Sequence, residues 1–317
     1  MEIQFRALSS IFVLLLLIFG VVWFKHMGIL KEEYGRMCST LITKVTLPAV
    51  ILLTLTHADF RWNYGKMGFL LMSASIVCLG LGWLIAKAFR VGRPGTAAVI
   101  LVAGFSSSSV LGVSLIGELF PSNKQLVSDT VVLSSLGMAP LVITIGTLIA
   151  LYYGAHDLTP KQRRWETFAY FRSPIFIALV AGIVLGAVTN HDNWLVHSIL
   201  DGLDVVSAGN TLMVLLTVGL FLQLRDFKGI AGLAVCVGFV NLIVLPLLIV
   251  PPAHVMGLEH WEIEVLALEG GMPAVSMAVV LCDAYGADAR LAAKLYLATL
   301  IASVFTIPLI FLFGDLM

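Results

Sequence analysis

The stretch LEGGMPAVSMAVVL, residues 268–281, guides the interpretation of the whole chain. It is apolar enough to lie at membrane depth, yet it contains Gly270, Gly271 and Pro273 in close succession. Inside a helix glycine costs about 1 kcal/mol relative to alanine and proline about 3 kcal/mol, so a regular helix is not expected to continue here. A broken helix at membrane depth survives only where it is packed in protein or lines a wet cavity. The stretch therefore indicates either a binding site or an ordinary proline kink.

The composition is that of a membrane protein. The 317 residues are 59% hydrophobic and 12% charged, with a mean hydropathy of +1.00 and no net charge, whereas a soluble domain carries about 25% charged residues. No basic patch suggests nucleic-acid binding. The cysteines and histidines lack metal-ligand spacing, so no bound metal and no organic cofactor are expected. No metalloprotease, intramembrane protease or prenyltransferase motif is found, so we do not expect an enzyme.

Ten apolar runs are long enough to cross a bilayer. They lie at roughly 8–24, 39–57, 67–89, 97–117, 127–152, 173–190, 204–223, 230–251, 263–283 and 291–313. We number them segments one to ten. The odd-numbered loops between them hold 14 lysines and arginines, and the other side holds 4. The positive-inside rule then predicts that the odd-numbered loops are cytoplasmic and that both termini lie outside.

The chain shows an internal repeat of five segments. GFSSSSVLGVSL in segment four, residues 104–115, corresponds to GGMPAVSMAVVL in segment nine. An odd number of spans per repeat inverts the second half, as in many secondary transporters. We expect a first repeat at 1–152, a cytoplasmic basic loop at 153–172 and a second repeat at 173–317. The serine run after Gly104 indicates either a second helix break, which would cross the first, or close helix packing through small residues.

Two stretches resemble the auxin efflux carrier family, within the bile, arsenite and riboflavin transporter superfamily. LPAVILLTL at 47–55 resembles the family's second helix, and EGGMPAVSMAVVLCDAYGAD at 269–288 resembles its ninth. The family's fourth helix typically reads Asn-Thr-Gly-x-x-Gly-x-Pro. In the same frame, residues 107–114, this chain retains Gly112 but has serine in place of the asparagine and the proline.

The resemblance implies a fold and a function. The fold is all-α and polytopic, with ten transmembrane helices in two inverted five-helix repeats and with broken, crossing helices four and nine. Segments one, two, six and seven would form a scaffold, and the others a moving transport domain. The function implied is secondary transport of a small organic anion across the lipid bilayer. The short central loop resembles that of prokaryotic members of the family, which implies the plasma membrane, the inner membrane in bacteria. If the protein forms a homodimer, the scaffold helices are the expected contact.

We expect the substrate to contact both breaks and one scaffold residue. The predicted contacts are Ser106, Ser107, Ser108, Ser109, Gly112, Pro273, Val275, Ser276 and Asn210. Half-helices that begin at a crossing direct their positive ends toward an anion. Asn241 is expected to form an interhelical hydrogen bond.

Glu269 has two possible roles. An intramembrane carboxylate is costly unless it is paired, hydrated or neutral, which favours a proton-binding coupling group. The alternative is that Glu269 hydrogen-bonds to backbone groups freed at Gly270 and Gly271. The coupling ion is H⁺ or Na⁺. In a sodium-coupled symporter of the bile-acid type, Glu269 and Ser107 would bind sodium. A channel is a further alternative, which flux at channel-like rates would indicate.

Overall fold

The computed structural model describes residues 2–56, 62–107, 137–154, 170–188, 194–223 and 227–314. Helices account for most of them. Through residue 154 they are α1 (Glu2–His26), α2 (Glu33–Leu41), α3 (Leu47–Thr56), α4 (Trp62–Ala88), α5 (Arg93–Gly104), α6 (Ala139–Leu141) and α7 (Thr147–Gly154). After residue 170 they are α8 (Pro174–Val188), α9 (Trp194–Ala208), α10 (Asn210–Phe221), α11 (Ala231–Phe239), α12 (Leu245–Val255), α13 (His260–Gly271), α14 (Met277–Ala284) and α15 (Ala289–Gly314).

Three of the helix pairs are joined by a widened π-helical turn. These turns are Ile42–Thr46 between α2 and α3, Val142–Gly146 between α6 and α7, and Val240–Val244 between α11 and α12. The first and third end two residues before Pro48 and Pro246. Proline lacks an N–H and its ring crowds the carbonyl four residues earlier, which a wider turn relieves. Each chain segment can thus continue as one long helix through its proline.

Five stretches of described residues have the length and apolar character of membrane-spanning helices. They are Glu33–Thr56, Gly65–Ala88, Ser198–Phe221, Ala231–Val255 and Ala289–Leu309. Four shorter apolar helices lie at Ile11–His26, Arg93–Gly104, Ala139–Gly154 and Pro174–Gly186. The protein is therefore a helical, multi-pass membrane protein. The count of ten spans stays a prediction, because segments four and five include residues outside the described ranges.

Segments two and six pack closely through glycine. A Cβ at Gly182 would lie 2.9 Å from Leu55 Cβ, and one at Gly186 would lie 2.6 Å from the backbone oxygen of Leu55. Small residues allow helices in a membrane to approach to this distance. Around this contact, apolar side chains, mostly from segments two and six with others from five, seven and nine, form a hydrophobic cluster separate from the larger one that holds most of the remaining core.

We expect Gly186→Ala to destabilise the protein by about 1–3 kcal/mol, because the added methyl group would overlap a backbone oxygen that has little room to move. Gly80→Ala is a matched control, since Gly80 also lies in a helix and a Cβ there has nothing within 4 Å. Thermal unfolding in detergent should show a lower midpoint for Gly186→Ala only. Equal midpoints in the two variants would contradict this account of the contact.

Candidate functional site

The two helix breaks pair with each other through their backbones. After α5 ends at Gly104, the N–H of Ser107 donates to the carbonyl oxygen of Pro273 at 2.7 Å. In the other direction, the N–H of Val275 donates to the carbonyl oxygen of Phe105 at 3.0 Å. These two bonds form an isolated antiparallel bridge between Ser106 and Ala274. The pairing satisfies backbone groups that the broken helices would otherwise leave exposed to an apolar interior.

Two buried side chains hold this bridge in place. Asn241, in the π turn between α11 and α12, donates from Nδ2 to the carbonyl oxygen of Phe105 at 3.2 Å. Thr299 Oγ1, in α15, accepts a hydrogen bond from the N–H of Ala274 at 3.2 Å. Both side chains have no exposed surface. Helices on either side of the bridge therefore fix its position, each through one hydrogen bond to the backbone.

The break in segment nine spans Met272 to Ser276, slightly beyond the glycines of the sequence motif. Gly270 and Gly271 lie in the last turn of α13, and Met272 has extended backbone angles. A Cβ at Gly270 would lie 2.7 Å from Ile249 Cδ1, so a side chain here would displace Ile249, and the glycine allows α13 to pack closely against α12. Pro273 lies within the break and its carbonyl oxygen carries one of the two bridge bonds.

A cavity of about 140 Å³ lies between the bridge and segments two, five and six. Ser106 and Val275 contribute from the bridge, and Met277 from the first turn of α14. Its other lining residues are Leu47, Val50, Ile51, Thr54, Leu55, Met138, Ala139, Pro140, Val142, Ile143, Leu179 and Asn210. These walls are mostly apolar, and the lining residues that the structure describes include none with a charge.

The polar groups of the cavity come from both sides of it. Ser106 Oγ is buried and finds no hydrogen-bond partner among the described residues. Asn210, at the start of α10, accepts a hydrogen bond at its Oδ1 from Thr46 Oγ1 at 2.8 Å, which fixes the orientation of its amide. Thr54 adds a hydroxyl group. The cavity thus presents neutral hydrogen-bonding groups on apolar walls.

Several of the other predicted site residues do not line the cavity, and some lie outside the described residues. Ser107 and Ser276 are buried at the two breaks but do not line the cavity. Ser108, Ser109 and Gly112 lie outside the described residues. Glu269, in α13, is fully buried and is also absent from the cavity lining. Any effect of Glu269 on a bound molecule would therefore act through the neighbouring break.

An ionic network joins three of the predicted odd-numbered loops at one end of the molecule. Glu32 accepts from Arg290 Nε at 2.7 Å and lies 3.5 Å from both Lys25 Nζ and Gln223 Nε2. Burial raises the pKa of Glu32, but the hydrogen bond from Arg290 and the charges of Lys25 and Arg290 outweigh it, so the pKa lies below its usual value. The network is therefore charged at neutral pH, and its stabilisation is lost as the pH falls through that lowered pKa.

A second contact at this end joins segments two and nine directly. Ser39 in α2 donates a hydrogen bond to the carboxylate of Asp283 in α14. Arg290, just inside α15, and Glu32, just before α2, flank this contact in the chain. Segment two is thus tied to the helices that follow the bridge by a hydrogen bond and an ion pair.

Some of these residues could not have been found from the sequence. Thr299 lies in an apolar helix with no motif around it, and its role depends on a backbone N–H from another segment. Five lining residues, Met138, Ala139, Pro140, Val142 and Ile143, belong to segment five, where no sequence motif indicates a position beside the breaks. Residues that meet from several segments do not form a motif, because their spacing within any one segment is not regular.

Comparison with known proteins agrees with this architecture. The model of a family described as "Membrane transport protein" matches residues 7–311. An uncharacterized transporter of Methanocaldococcus jannaschii is 21% identical over 311 residues, covering 97% of each chain. An uncharacterized transporter of Methanothermobacter thermautotrophicus is 22% identical over 307 residues, covering 94% of each chain.

The family match spans both helix breaks, the residues that hold them and the cavity beside them. The chain therefore belongs to the auxin efflux carrier family of membrane transport proteins.

Proposed function

We propose that this protein is a secondary active transporter of a small organic anion, and that the substrate binds in the cavity beside the Ser106–Ala274 bridge. The proposal rests on one observation. Among the described residues, two broken segments pair at only one place, and that place borders a cavity. Irregular backbone at membrane depth is tolerated where it lines such a cavity, and transporters place their substrates there.

The cavity walls favour an anion with an apolar body. Leucine, isoleucine and valine side chains form most of the lining, and Ser106, Thr54 and Asn210 supply neutral polar groups. The N-terminal end of α14 adjoins the cavity at Met277 and adds a partial positive charge. A single carboxylate held by hydroxyl, amide and helix-terminal groups would bind reversibly, which transport requires.

Alternating access follows from the proposed division into a scaffold and a moving domain. Segments one, two, six and seven would be the scaffold, and the inverted repeats would rock or slide against it with the bridge at the crossing of helices four and nine. The Glu32–Arg290 ion pair and the Ser39–Asp283 hydrogen bond would then join scaffold to moving domain at one end. In the proposed inner-membrane topology, with both termini outside, that end is cytoplasmic and closed in this conformation.

For the coupling ion we propose the proton, with Glu269 as its binding group. A fully buried carboxylate is costly unless it is neutral or well paired, so its charge would be sensitive to opening of the adjacent break. An imposed proton gradient should drive uptake into proteoliposomes, and Glu269→Gln should abolish that dependence while leaving exchange of unlabelled for labelled substrate. Gradient-driven uptake that survives Glu269→Gln would contradict the role of Glu269.

Sodium coupling is the second candidate. Ser106 Oγ and Asn241 Oδ1 are buried oxygens with no hydrogen-bond partner among the described residues, and they flank the Phe105–Ser107 backbone. Hard cations take oxygen ligands of this kind. Glu269 and Ser107 lie close to the breaks in the sequence. Together with Ser106 and Asn241 they would be the candidate sodium ligands. Uptake that follows a sodium gradient and ignores a proton gradient would favour this function over the first.

The substrate site is tested with Ser106→Ala. A thermal-unfolding screen of the purified protein against monocarboxylic and dicarboxylic acids first identifies a stabilising acid, whose uptake is then measured. We expect Ser106→Ala to raise the KM for that acid by about tenfold or more, because one hydrogen bond to a charged group is lost. Ser73→Ala is the control, since its hydroxyl bonds only to Leu70 within its own helix. An unchanged KM in Ser106→Ala would place the substrate elsewhere.

A further inference from the structure

A second cavity, of about 450 Å³, lies at the turn between α4 and α5 and against the end of α7. The side chains that matter for its chemistry are Trp83, Lys87, Arg90, Arg93, Tyr152 and Tyr153. Among the described residues, none lines both this cavity and the one beside the bridge. We refer to it as the basic aromatic cavity.

Three cations converge on this cavity, and the described residues that line it include no acidic group. Lys87 Nζ lies 5.2 Å from the ring centre of Trp83. The guanidinium of Arg93 lies 5.2 Å and 5.8 Å from the rings of Tyr152 and Tyr153. Cation–π contacts of this length hold Lys87 and Arg93 in place without neutralising their charges. The cavity therefore has a fixed positive potential.

Arg93 retains a hydrogen-bond donor that the protein does not use. Its Nη2 donates to the carbonyl oxygen of Tyr152 at 3.1 Å. Its Nε is buried and has no hydrogen-bond partner among the described residues. A buried donor on a charged group is costly to leave unmet, and guanidinium donors match the oxygens of a phosphate group. Arg93 lines the cavity, so an anionic oxygen that binds there and reaches Nε would satisfy this donor.

The surroundings favour a lipid as the source of that phosphate. Trp83 in the cavity wall is 43% exposed, and the residues next in the chain to Trp83 and Arg90, Leu84 and Phe89, are 52% and 47% exposed. Tryptophan and basic side chains at helix ends are typical of the level of the lipid headgroups. A freely diffusing anion would not require an exposed apolar rim, whereas a phospholipid places its acyl chains there.

We propose that the basic aromatic cavity binds the phosphate group of an anionic phospholipid. Lys87 and Arg90 would attract the charge, Arg93 would donate hydrogen bonds to the phosphate oxygens, and Leu84 and Phe89 would contact the upper part of the acyl chains. The cavity lies at the turn between segments three and four, one of the predicted odd-numbered loops. The bound lipid would then belong to the cytoplasmic leaflet.

The test measures binding of dioctanoyl phosphatidylglycerol to the full chain in detergent, by native mass spectrometry and by the shift of the thermal unfolding midpoint. Dioctanoyl phosphatidylcholine and inorganic phosphate are the comparison ligands. We expect the phosphatidylglycerol to bind and stabilise more strongly than either of them, and added salt to weaken it. Equal stabilisation by inorganic phosphate would show a site for a free anion, and equal binding of phosphatidylcholine would show no selectivity for charge; either result overturns the proposal.

A pair of matched double variants assigns the binding to this cavity. Lys87→Gln with Arg90→Gln should weaken the affinity for phosphatidylglycerol on the order of tenfold, since each surface cation contributes to the attraction of anionic lipid. Lys31→Gln with Arg36→Gln removes the same charge from exposed positions outside the cavity and should leave the affinity unchanged. All four side chains are exposed, so folding should tolerate both double variants. An equal loss in the two would show a general charge effect and overturn the site.

Discussion

Thr299→Val should lower the rate of substrate uptake by roughly tenfold or more, because it removes the acceptor for the N–H of Ala274. That N–H lies in the bridge between the two broken segments and is fully buried. Leaving a buried donor without a partner costs about 1–3 kcal/mol, and the cost falls on the conformation that carries the bridge. Valine has nearly the same shape as threonine, so the substitution changes the hydrogen bond with little change in packing. The measurement is initial uptake into proteoliposomes of the acid that stabilises the wild-type protein.

Thr217→Val is the matched control for this experiment. Both threonines are completely buried in helices, and each donates its hydroxyl proton to a carbonyl of its own helix, that of Tyr296 or that of Met213. Only Thr299 also accepts a hydrogen bond from the bridge. Similar uptake rates in the two variants would show that the bridge needs no support from α15. Asn241→Leu, which removes the donor to Phe105, should resemble Thr299→Val.

Glu32→Gln should increase the rate at which a maleimide labels Cys282, by roughly fivefold or more. Glu32 binds Arg290 and lies near Lys25 and Gln223, and a charge-assisted hydrogen bond contributes about 1.5–3 kcal/mol. In the proposed cycle these contacts hold one end of the molecule closed, so their loss shifts the population toward the open state. Cys282 is fully buried next to Asp283 at that end, so it reports the opening. The experiment uses a chain whose other cysteines, Cys38, Cys78 and Cys236, are alanine.

Two further variants separate gating from loss of charge. Glu264→Gln removes the carboxylate of the His260–Glu264 contact within α13, which lies outside the network, and should leave labelling of Cys282 at the wild-type rate. Arg290→Gln should accelerate labelling as Glu32→Gln does, and the double variant should add little, because both remove the same interaction. Unchanged labelling in Glu32→Gln and Arg290→Gln would mean that the ion pair does not hold this end closed.

Much of the helical architecture could be predicted from the chain alone. Apolar runs of membrane length, and the family resemblance, pointed to a helical multi-pass transporter, as the family match and the described helices show. Pro273 marked a position where a helix cannot continue, since proline removes a donor and clashes with the preceding turn. The inverted repeat, the crossing of helices four and nine and the division into scaffold and moving domain stay predictions.

Details of the site depended on distances that no periodicity encodes. Gly270 had been interpreted as part of the break, but it packs against Ile249, and the break begins at Met272. Glu269 had been expected at the break, either as a coupling group or as a hydrogen-bond partner for freed backbone, and the structure places it in α13, fully buried and outside the cavity lining. A motif specifies only which residues lie near the break, whereas the rotation of α13 about its axis decides where each side chain points.

The sequence by itself determined that LEGGMPAVSMAVVL is an interrupted helix in a membrane transporter, because backbone chemistry and hydropathy are local properties of the chain. Only the tertiary structure decided what the interruption contacts. Phe105, Asn241, Ala274 and Thr299 come from four segments that are far apart in sequence, and they meet through hydrogen bonds at buried backbone groups. Such bonds depend on how whole helices pack together, so no single stretch of sequence predicts which groups become partners.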